Sequence, residues 1–266
     1  MSNSILGTWP NPPLAYVVAE VGISAHYSIA QFIPAIQESL RDVFPRTDEG
    51  MEVALPVGAP NQATASDRIW RLLTPDNGRG VFLGTRAIAL HATLYQDFSE
   101  FSSWLTRVLQ AVQASKLNPF VERIGLRYID YILPSNDHQF VEYLVPELRG
   151  VTPPSAEAAQ ATMWSATYPF GTYTASARVA APMPLGMILP PNFSPLPLKK
   201  PSTMLAAEQR SQKGQPIGII DTDCGQTPNE VFNAENLVSK FTQMHKCVSA
   251  TFNALISDLA VKEWKG

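Results

Sequence analysis

Charge is scarce in this sequence, and neither sign dominates. Charged side chains make up only 16% of the residues, and 20 Lys and Arg stand against 23 Asp and Glu, which gives a net charge of −3. A protein that binds nucleic acid through its overall electrostatics usually has a basic excess or a basic run. The densest basic stretch here is only the Leu-Lys-Lys at 198–200. We therefore do not expect nucleic acid as the main partner.

The sequence is also poor in patterns that hold metals, cofactors or disulfides. Its two cysteines, Cys224 and Cys247, form no CxxC motif, and its four histidines are scattered without an HxH or HExxH pattern. The phosphate loops GxxxxGK(S/T) and GxGxxG and the nucleophile motif GxSxG are absent. We predict no metal, no cofactor and no catalytic residue from these patterns, and free thiols rather than a disulfide.

Long apolar runs are missing as well. No stretch approaches 18 uncharged apolar residues, and the first residues have neither the basic start nor the apolar core of a signal peptide. Hydrophobic residues still make up 45% of the chain, which is enough to bury a sizeable core. We predict a cytoplasmic protein, and the low charge indicates that a partner covers part of its apolar surface.

The first half of the chain alternates between patterns of strand and helix. After an extended lead-in over 1–13, the spacing predicts the order β-α-β-β-β-β-α with a closing strand, in a first half that covers 14–135. The predicted elements are a strand at 14–24, a helix at 29–44, strands at 51–58, 67–74, 79–84 and 87–95, a helix that begins near Asp97, and a strand from Val121. That order is typical of the TBP-like or helix-grip layout, in which a curled antiparallel sheet grips a long helix.

The second half is less regular. A helix at 137–150 and a linker are predicted to connect the halves over 136–160, and the second α+β half covers 161–266. Its predicted elements are strands at 161–169, 171–180, 183–189 and 215–224, a proline-rich arm at 190–201, and one long helix at 234–264. We thus predict an α+β protein with two related halves, since strands followed by helix occur in both.

The closing strand contains two charged residues within an apolar pattern. Arg127 and Asp130 differ by three positions, so a regular strand points them to opposite faces of the sheet. One interpretation pairs Arg127 with a carboxylate on a neighbouring strand, for which Glu20 is a candidate. The other makes Arg127 the anion-binding group of a ligand site.

These alternatives define a tentative set of ligand-binding residues. We name five residues, which are Arg127, Tyr128, Asp130, Trp70 and His91. A second candidate is the pair of Asp221 and Asp223, which share one face of a predicted strand end. That pair suits either Mg²⁺ or Ca²⁺ binding or an ordinary solvated strand end.

Four stretches together resemble one bacterial family. They are "PPLAYVVAEVGIS" at 12–24, "FIPAIQESLRDVFP" at 32–45, "IWRLLT" at 69–74 and "RIGLRYIDYI" at 123–132. The family is sporadically distributed, consists of uncharacterised proteins of about this length, and includes members similar to proteins found beside phage-defence and toxin–antitoxin loci. The resemblance covers the first 135 residues and, more loosely, "IIDTD" with the helix after it. It implies no catalytic residues, and Gly22 departs from the larger or charged residue that is usual there.

These observations favour a non-enzymatic binding or sensor component of a bacterial defence or stress module. We expect it to engage a protein partner, encoded nearby, or an apolar small molecule or lipid, and a homo-oligomer is an open option. The first alternative is an enzyme that uses Arg127 with Asp130 or with the Asp221 and Asp223 pair. The second is a nucleic-acid sensor, which requires the hairpin arginines to cluster on one sheet face; they are Arg68, Arg71, Arg79 and Arg86.

Overall fold

The fold is built around one large curled antiparallel sheet of ten strands. A computed structural model describes residues 9–53, 66–135, 138–151, 154–155, 161–182, 189–190 and 195–265. The strands are β1 (Leu14–Ile23), β2 (Arg46–Val53), β3 (Ser66–Leu73), β4 (Arg79–Leu83), β5 (Ala87–Ala92), β6 (Phe120–Ile132), β7 (Thr162–Phe170), β8 (Tyr173–Ala181), β9 (Gly218–Gln226) and β10 (Glu230–Val231). Their order across the sheet is β2-β3-β4-β5-β1-β6-β9-β8-β7, and β10 also pairs with β6.

The central strand β6 joins the two predicted halves of the chain. One of its edges pairs with β1, so that Val18 lies opposite Arg127, and the other edge pairs with β9, so that Tyr128 lies opposite Thr222. The alternation of side chains along a strand gives each residue a defined face. Strands from both sides of the predicted boundary near residue 135 therefore form one continuous sheet.

Helices cover one face of the sheet, which we call the helix face. The α-helices among the described residues are α1 (Ile33–Leu40), α2 (Phe98–Ala114), α3 (Ser202–Gln212), α4 (Ala234–Asn253) and α5 (Asp258–Lys265), of which α3 packs on the opposite face. Apolar side chains of α1, α2 and α4 are buried together with those of β1, β4, β5 and β6 in the main core. Asp97 caps α2 by accepting a hydrogen bond from the N–H of Glu100 at 2.8 Å, as its sequence position predicts.

A smaller core lies on the opposite face, which we call the outer face. There α3 places Met204 and Ala207 against Tyr16, Ile129 and Tyr131 of the two central strands. The segment before α3 adds to this cover, since the N–H of Leu196 donates to the Tyr16 hydroxyl at 2.9 Å. The outer face is therefore covered at one end by α3 and its lead-in.

The structure confirms the α+β class, the curled antiparallel sheet packed on helices, and the predicted element order of the first half. Pro34 lies in the first turn of α1, where its missing N–H costs nothing. Ser28, whose position before the helix predicted at 29–44 suggests an N-cap, makes no capping hydrogen bond with its side chain. The strand predicted at 51–58 is displaced to Arg46–Val53, and residues 54–58 lie outside the described residues.

The helix predictions of the second half need correction. In place of one long helix at 234–264 there are α4 and α5, because residues 254–257 pair with the chain near Leu144: the Val145 N–H donates to the Leu255 carbonyl at 3.0 Å. The helix predicted at 137–150 is two short 3₁₀ turns, Phe140–Tyr143 and Pro146–Leu148, in its described part. α3 lies between the arm predicted at 190–201 and the strand predicted at 215–224, where the sequence predicted no element, and most of the strand predicted at 183–189 lies outside the described residues.

Within the described ranges, no helix has the length and apolarity that crossing a membrane requires. Both cysteines are buried and free. The residue spacing of the last helix predicts Cys247 on a mostly polar edge, but the structure places it in the main core with Cys224.

Candidate functional site

The five residues of the tentative ligand set lie on two different faces of the sheet. On the outer face, Val18 of β1 lies between His91 and Arg127, its partners in the neighbouring strands. Trp70 and Tyr128 are buried in the main core on the helix face. Asp130, two positions from Tyr128 on β6, shares that face. The prediction that Arg127 and Asp130 point to opposite faces is therefore confirmed, and the five residues do not converge on one site.

Arg127 is held by a buried carboxylate on the next strand. Its Nε donates to Oδ1 of Asp221 at 2.7 Å and its Nη2 to Oδ2 at 2.7 Å, which is the bidentate geometry of a strong pair. Arg178 adds a third contact to the same carboxylate at 3.2 Å. Glu20, the candidate partner from the sequence, accepts a hydrogen bond from Arg123 at 3.3 Å. This geometry favours the structural interpretation of Arg127.

The Asp221 and Asp223 pair shares the outer face, as predicted, but lies within β9 and not at a solvated strand end. The side chain of Asp221 is only 2% exposed, because two arginines cover it. Asp223 lies 3.8 Å from Nη2 of Arg123, and its burial raises the pKa of its carboxyl. Among the described residues, no group of three His, Cys, Asp or Glu side chains is placed to hold a metal ion.

The helix face contains a buried polar cluster around Tyr128. The Tyr128 hydroxyl lies 3.1 Å from Nδ1 of His245 and 3.5 Å from the Tyr95 hydroxyl, and the His245 ring stacks on Phe98 at 4.0 Å. Burial lowers the pKa of His245 to about 4, so the imidazole in this cluster is neutral. His245 is therefore a hydrogen-bonded histidine of the core.

Asp130 lies in the same interior without a partner. Both of its carboxyl oxygens are buried, and neither has a hydrogen-bond partner within the described part of the chain. Burial, with a smaller contribution from the charge of Asp221, raises its pKa well above the ordinary value. The protonated acid is the form that such surroundings favour.

Trp70 and His91 each have a structural partner. The indole N–H of Trp70 donates to Glu49 at 3.0 Å. His91 is buried with Nδ1 3.1 Å from the Tyr16 hydroxyl, and burial lowers its pKa to about 3. The hydroxyl of Tyr16 also accepts a hydrogen bond from the Leu196 N–H, so it links the outer-face segment to His91 and the sheet.

The hairpin arginines do not cluster, and three of the four pair with carboxylates. Arg68 pairs with Glu49 at 2.5 Å, Arg71 pairs with Asp48 at 2.9 Å, and Arg79 pairs with Glu100 of α2. Arg68 and Arg71 are three positions apart on β3 and point to opposite faces, while Arg79 reaches a helix on the helix face. Arg86, in the turn between β4 and β5, is exposed. The clustering that the nucleic-acid alternative requires is therefore not seen.

A pocket that the sequence did not predict lies beside α3. It has a volume of about 420 Å³, within the ordinary range for small-molecule sites, and we call it the α3 pocket. Its walls come from four parts of the chain, which are residues 10–13, Tyr131 with residues 133–135 at the end of β6, Ser202, Thr203, Ala206 and Arg210 of α3, and Glu263 with Trp264 of α5. Prolines and aromatic rings therefore form much of its lining.

Two charged side chains reach this pocket. The Nη2 of Arg210 donates to the Pro134 carbonyl at 2.5 Å, and Arg210 forms no ion pair with any described residue. Glu263 accepts a hydrogen bond from the Ser135 hydroxyl at 3.1 Å and another from the Tyr143 hydroxyl. The one sequence signal for this wall is the spacing of Thr203, Ala206 and Arg210, which matches one face of a helix.

Comparison with known proteins adds no relative to this picture. No protein-family model matches the chain, and no curated protein matches it significantly. The residues of the α3 pocket and their chemistry therefore carry the functional argument.

Proposed function

We propose that the protein is a non-enzymatic binding or sensor protein that takes a small molecule in the α3 pocket. The observation that carries this proposal is a concave site in which proline and aromatic side chains alternate with polar groups from four parts of the chain. That combination is the usual design of a small-molecule site, because the apolar surface supplies affinity and the polar groups fix orientation. Arg210, Glu263, Ser202 and Thr203 are the polar groups here.

The ion pair of Arg127 with Asp221 supports a binding function over a catalytic one. The enzyme alternative uses Arg127 with a carboxylate that faces a substrate. The guanidinium of Arg127 instead binds both oxygens of a carboxylate that is 2% exposed. A pair so arranged has little capacity left for substrate, whereas the pocket beside α3 is open and polar at defined points.

Native mass spectrometry tests the proposal. The wild-type protein is incubated with a bacterial metabolite extract, and its native and denatured masses are compared. Ala206→Trp fills the α3 pocket, whereas Leu205→Trp places the same side chain on the exposed side of the same helix, where Leu205 is 46% exposed. We expect a small-molecule adduct in the wild type and in Leu205→Trp, and its loss in Ala206→Trp.

Two results would contradict the proposal. An adduct that remains in a folded Ala206→Trp protein would place the ligand elsewhere. If all three proteins show only the mass of the unliganded chain, the small-molecule function is wrong. A protein would then be the expected binding partner. Circular dichroism of each variant establishes that the comparison is between folded proteins.

The proposal extends to the setting of the protein: a cytoplasmic location, a protein partner encoded nearby and a place in a bacterial defence or stress module. The composition and the sequence resemblance support this part. The helix-grip analogy rests on the element order of residues 14–115. Pull-down with the products of neighbouring genes is the direct measurement for this part.

A further inference from the structure

We infer that the ligand of the α3 pocket is an amphipathic organic anion, with an apolar body between the prolines and a carboxylate on Arg210. This inference rests on the proposed function and adds the chemical class of the ligand to it. It follows from how each charged group in the pocket is already satisfied.

Arg210 is fixed in place but not neutralised. Its hydrogen bond to the Pro134 carbonyl holds one edge of the guanidinium, and no carboxylate of the described residues pairs with it. Arg127, Arg79 and Arg107, in contrast, each bind an Asp or Glu. A guanidinium has five N–H donors in a planar fork that fits a carboxylate. Arg210 therefore presents an oriented cation with donors to spare at the pocket wall.

Glu263, the other charged group, is already provided with donors. One of its oxygens accepts from the Ser135 hydroxyl and the other from the Tyr143 hydroxyl. His138 lies nearby, with Nε2 at 3.8 Å from the first of these oxygens. The carboxylate of Glu263 thus has hydrogen bonds on both oxygens from the chain itself. The oxygens of Glu263 are thus occupied, whereas the guanidinium of Arg210 still has N–H donors for an acceptor on a ligand.

The helical spacing of α3 separates two polar groups of the pocket, Thr203 and Arg210. Thr203 and Arg210 are seven positions apart on one face of α3, which corresponds to about 10 Å along the helix axis. Ala206 lies between them and leaves room for an apolar group against the proline wall. The Thr203 hydroxyl is turned to the Pro12 carbonyl, 3.4 Å away. The geometry suits an elongated apolar body with its acid group at the Arg210 end.

Matched eight-carbon probes test the ligand class. Calorimetric titration compares octanoate, octanamide and octylamine, which differ in charge but little in apolar surface. We expect octanoate to bind the wild type at least about tenfold more tightly than octanamide, since hydrogen bonds to charged groups are stronger than neutral ones. Octylamine should bind most weakly because Arg210 repels it.

Variants on the same helix locate the effect. In Arg210→Gln the preference for octanoate over octanamide should disappear, while the octanamide affinity, which reports an intact pocket, stays unchanged. Lys213→Gln removes the same charge from the exposed end of α3 and should leave both affinities as in the wild type. If Arg210→Gln does not fold, Arg210→Lys replaces it and should keep a preference for octanoate, because the positive charge remains.

The outcomes separate this inference from the proposed function. If octanamide binds as tightly as octanoate and Ala206→Trp abolishes both, the pocket function stands and the anionic class is wrong. If octanoate does not bind at millimolar concentration, the ligand class is wrong. The metabolite-extract experiment then tests independently whether the α3 pocket binds any small molecule. A preference for octanoate that survives in Arg210→Gln would also overturn the assignment.

Discussion

Asp130 carries an acid group in surroundings that offer it no donor. Its two oxygens are buried on the helix face, where the hydroxyls of Tyr128 and Tyr95 are already bonded to each other and to His245. A carboxylate in such a place loses its hydration without compensation, so the neutral acid is favoured. The native state therefore retains a proton at Asp130 that the unfolded chain gives up near its ordinary pKa of 3.8.

This difference predicts a pH dependence of stability. The pKa of Asp130 is higher in the native state than in the unfolded chain. Its contribution to the free energy of unfolding is therefore fully present below the pKa of the unfolded chain and is lost as the pH rises toward the native pKa. In that interval the loss is about 1.4 kcal/mol per pH unit. In Asp130→Asn, the free energy of unfolding from urea titrations should lack this decline.

The comparison between wild type and Asp130→Asn isolates the effect of one group. His91 and His245 have lowered pKa values, of about 3 and about 4, so they act in the opposite direction: they destabilise the fold as the pH falls below about 6.5. Both histidines are present in both proteins and cancel in the difference. A difference in unfolding free energy that stays constant with pH would mean that Asp130 has a donor in solution.

At the scale of elements, the segment that leads into α3 is tied to the sheet by three hydrogen bonds. The Leu196 N–H donates to the Tyr16 hydroxyl at 2.9 Å, the Lys199 N–H donates to the Asn77 carbonyl at 2.8 Å, and the Thr93 hydroxyl donates to the Lys199 carbonyl at 2.6 Å. The first of these depends on a hydroxyl that also forms a hydrogen bond with His91. It can be removed without a change in ring volume.

Tyr16→Phe should loosen this segment. The Leu196 amide loses its acceptor and the buried His91 loses its hydrogen-bond partner, so amide hydrogen exchange at Leu196 should accelerate by about tenfold, the equivalent of about 1.4 kcal/mol. Exchange in α2, which lies on the other face of the sheet, serves as the internal control and should not change. Unchanged exchange at Leu196 would show that the rest of the segment holds it without Tyr16.

Elements with local signals were predictable, and those set by distant pairing were not. Asp97 and the apolar stripe after it define α2 from nearby residues alone. The stripe of α4 continues toward Trp264 with no Gly or Pro near 254–257, so nothing local shows that the helix stops there. The stop is caused by a chain segment more than 100 residues earlier, through the bridge between Leu144 and Ile256.

The same reasoning explains why the candidate site was only partly predictable. Alternation on β6 correctly placed Arg127 and Asp130 on opposite faces, since strand geometry is local. The sequence indicates Asp221 only as a possible metal ligand. Its role as the partner of Arg127 depends on the pairing of β9 with β6, which no local pattern shows. The α3 pocket combines four separate parts of the chain and has no signal in any one of them.

At the scale of the whole molecule, the two predicted halves share one sheet. β6 of the first half pairs with β9 of the second along nine residue pairs, from Ile124 opposite Gln226 to Ile132 opposite Gly218. Residues of the main core also come from both halves, since α2 and α4 pack against the same strands. The energetics of one half therefore depend on the other.

This arrangement predicts a single cooperative unfolding transition. Urea unfolding followed by tryptophan fluorescence and by far-ultraviolet circular dichroism should give coincident curves, because no part of the sheet can be lost without exposing the core of the rest. A matched measurement on a variant with the α3 pocket filled, Ala206→Trp, should shift the midpoint but keep the curves coincident. Two separate transitions would show that the halves fold independently.

The place of β1 in the sheet has a consequence for how the protein is made. β1 is translated before both of its neighbours in the sheet, β5 and β6: the partners of Val18 are His91 and Arg127, which lie 73 and 109 positions later in the chain. Until those strands are translated, the backbone N–H and C=O groups along both edges of β1 have no native partner. Unpaired strand edges of this kind can form non-native pairs in a nascent chain. Synthesis speed and chaperones that shield the emerging chain should therefore matter more for the yield of this protein than its final stability.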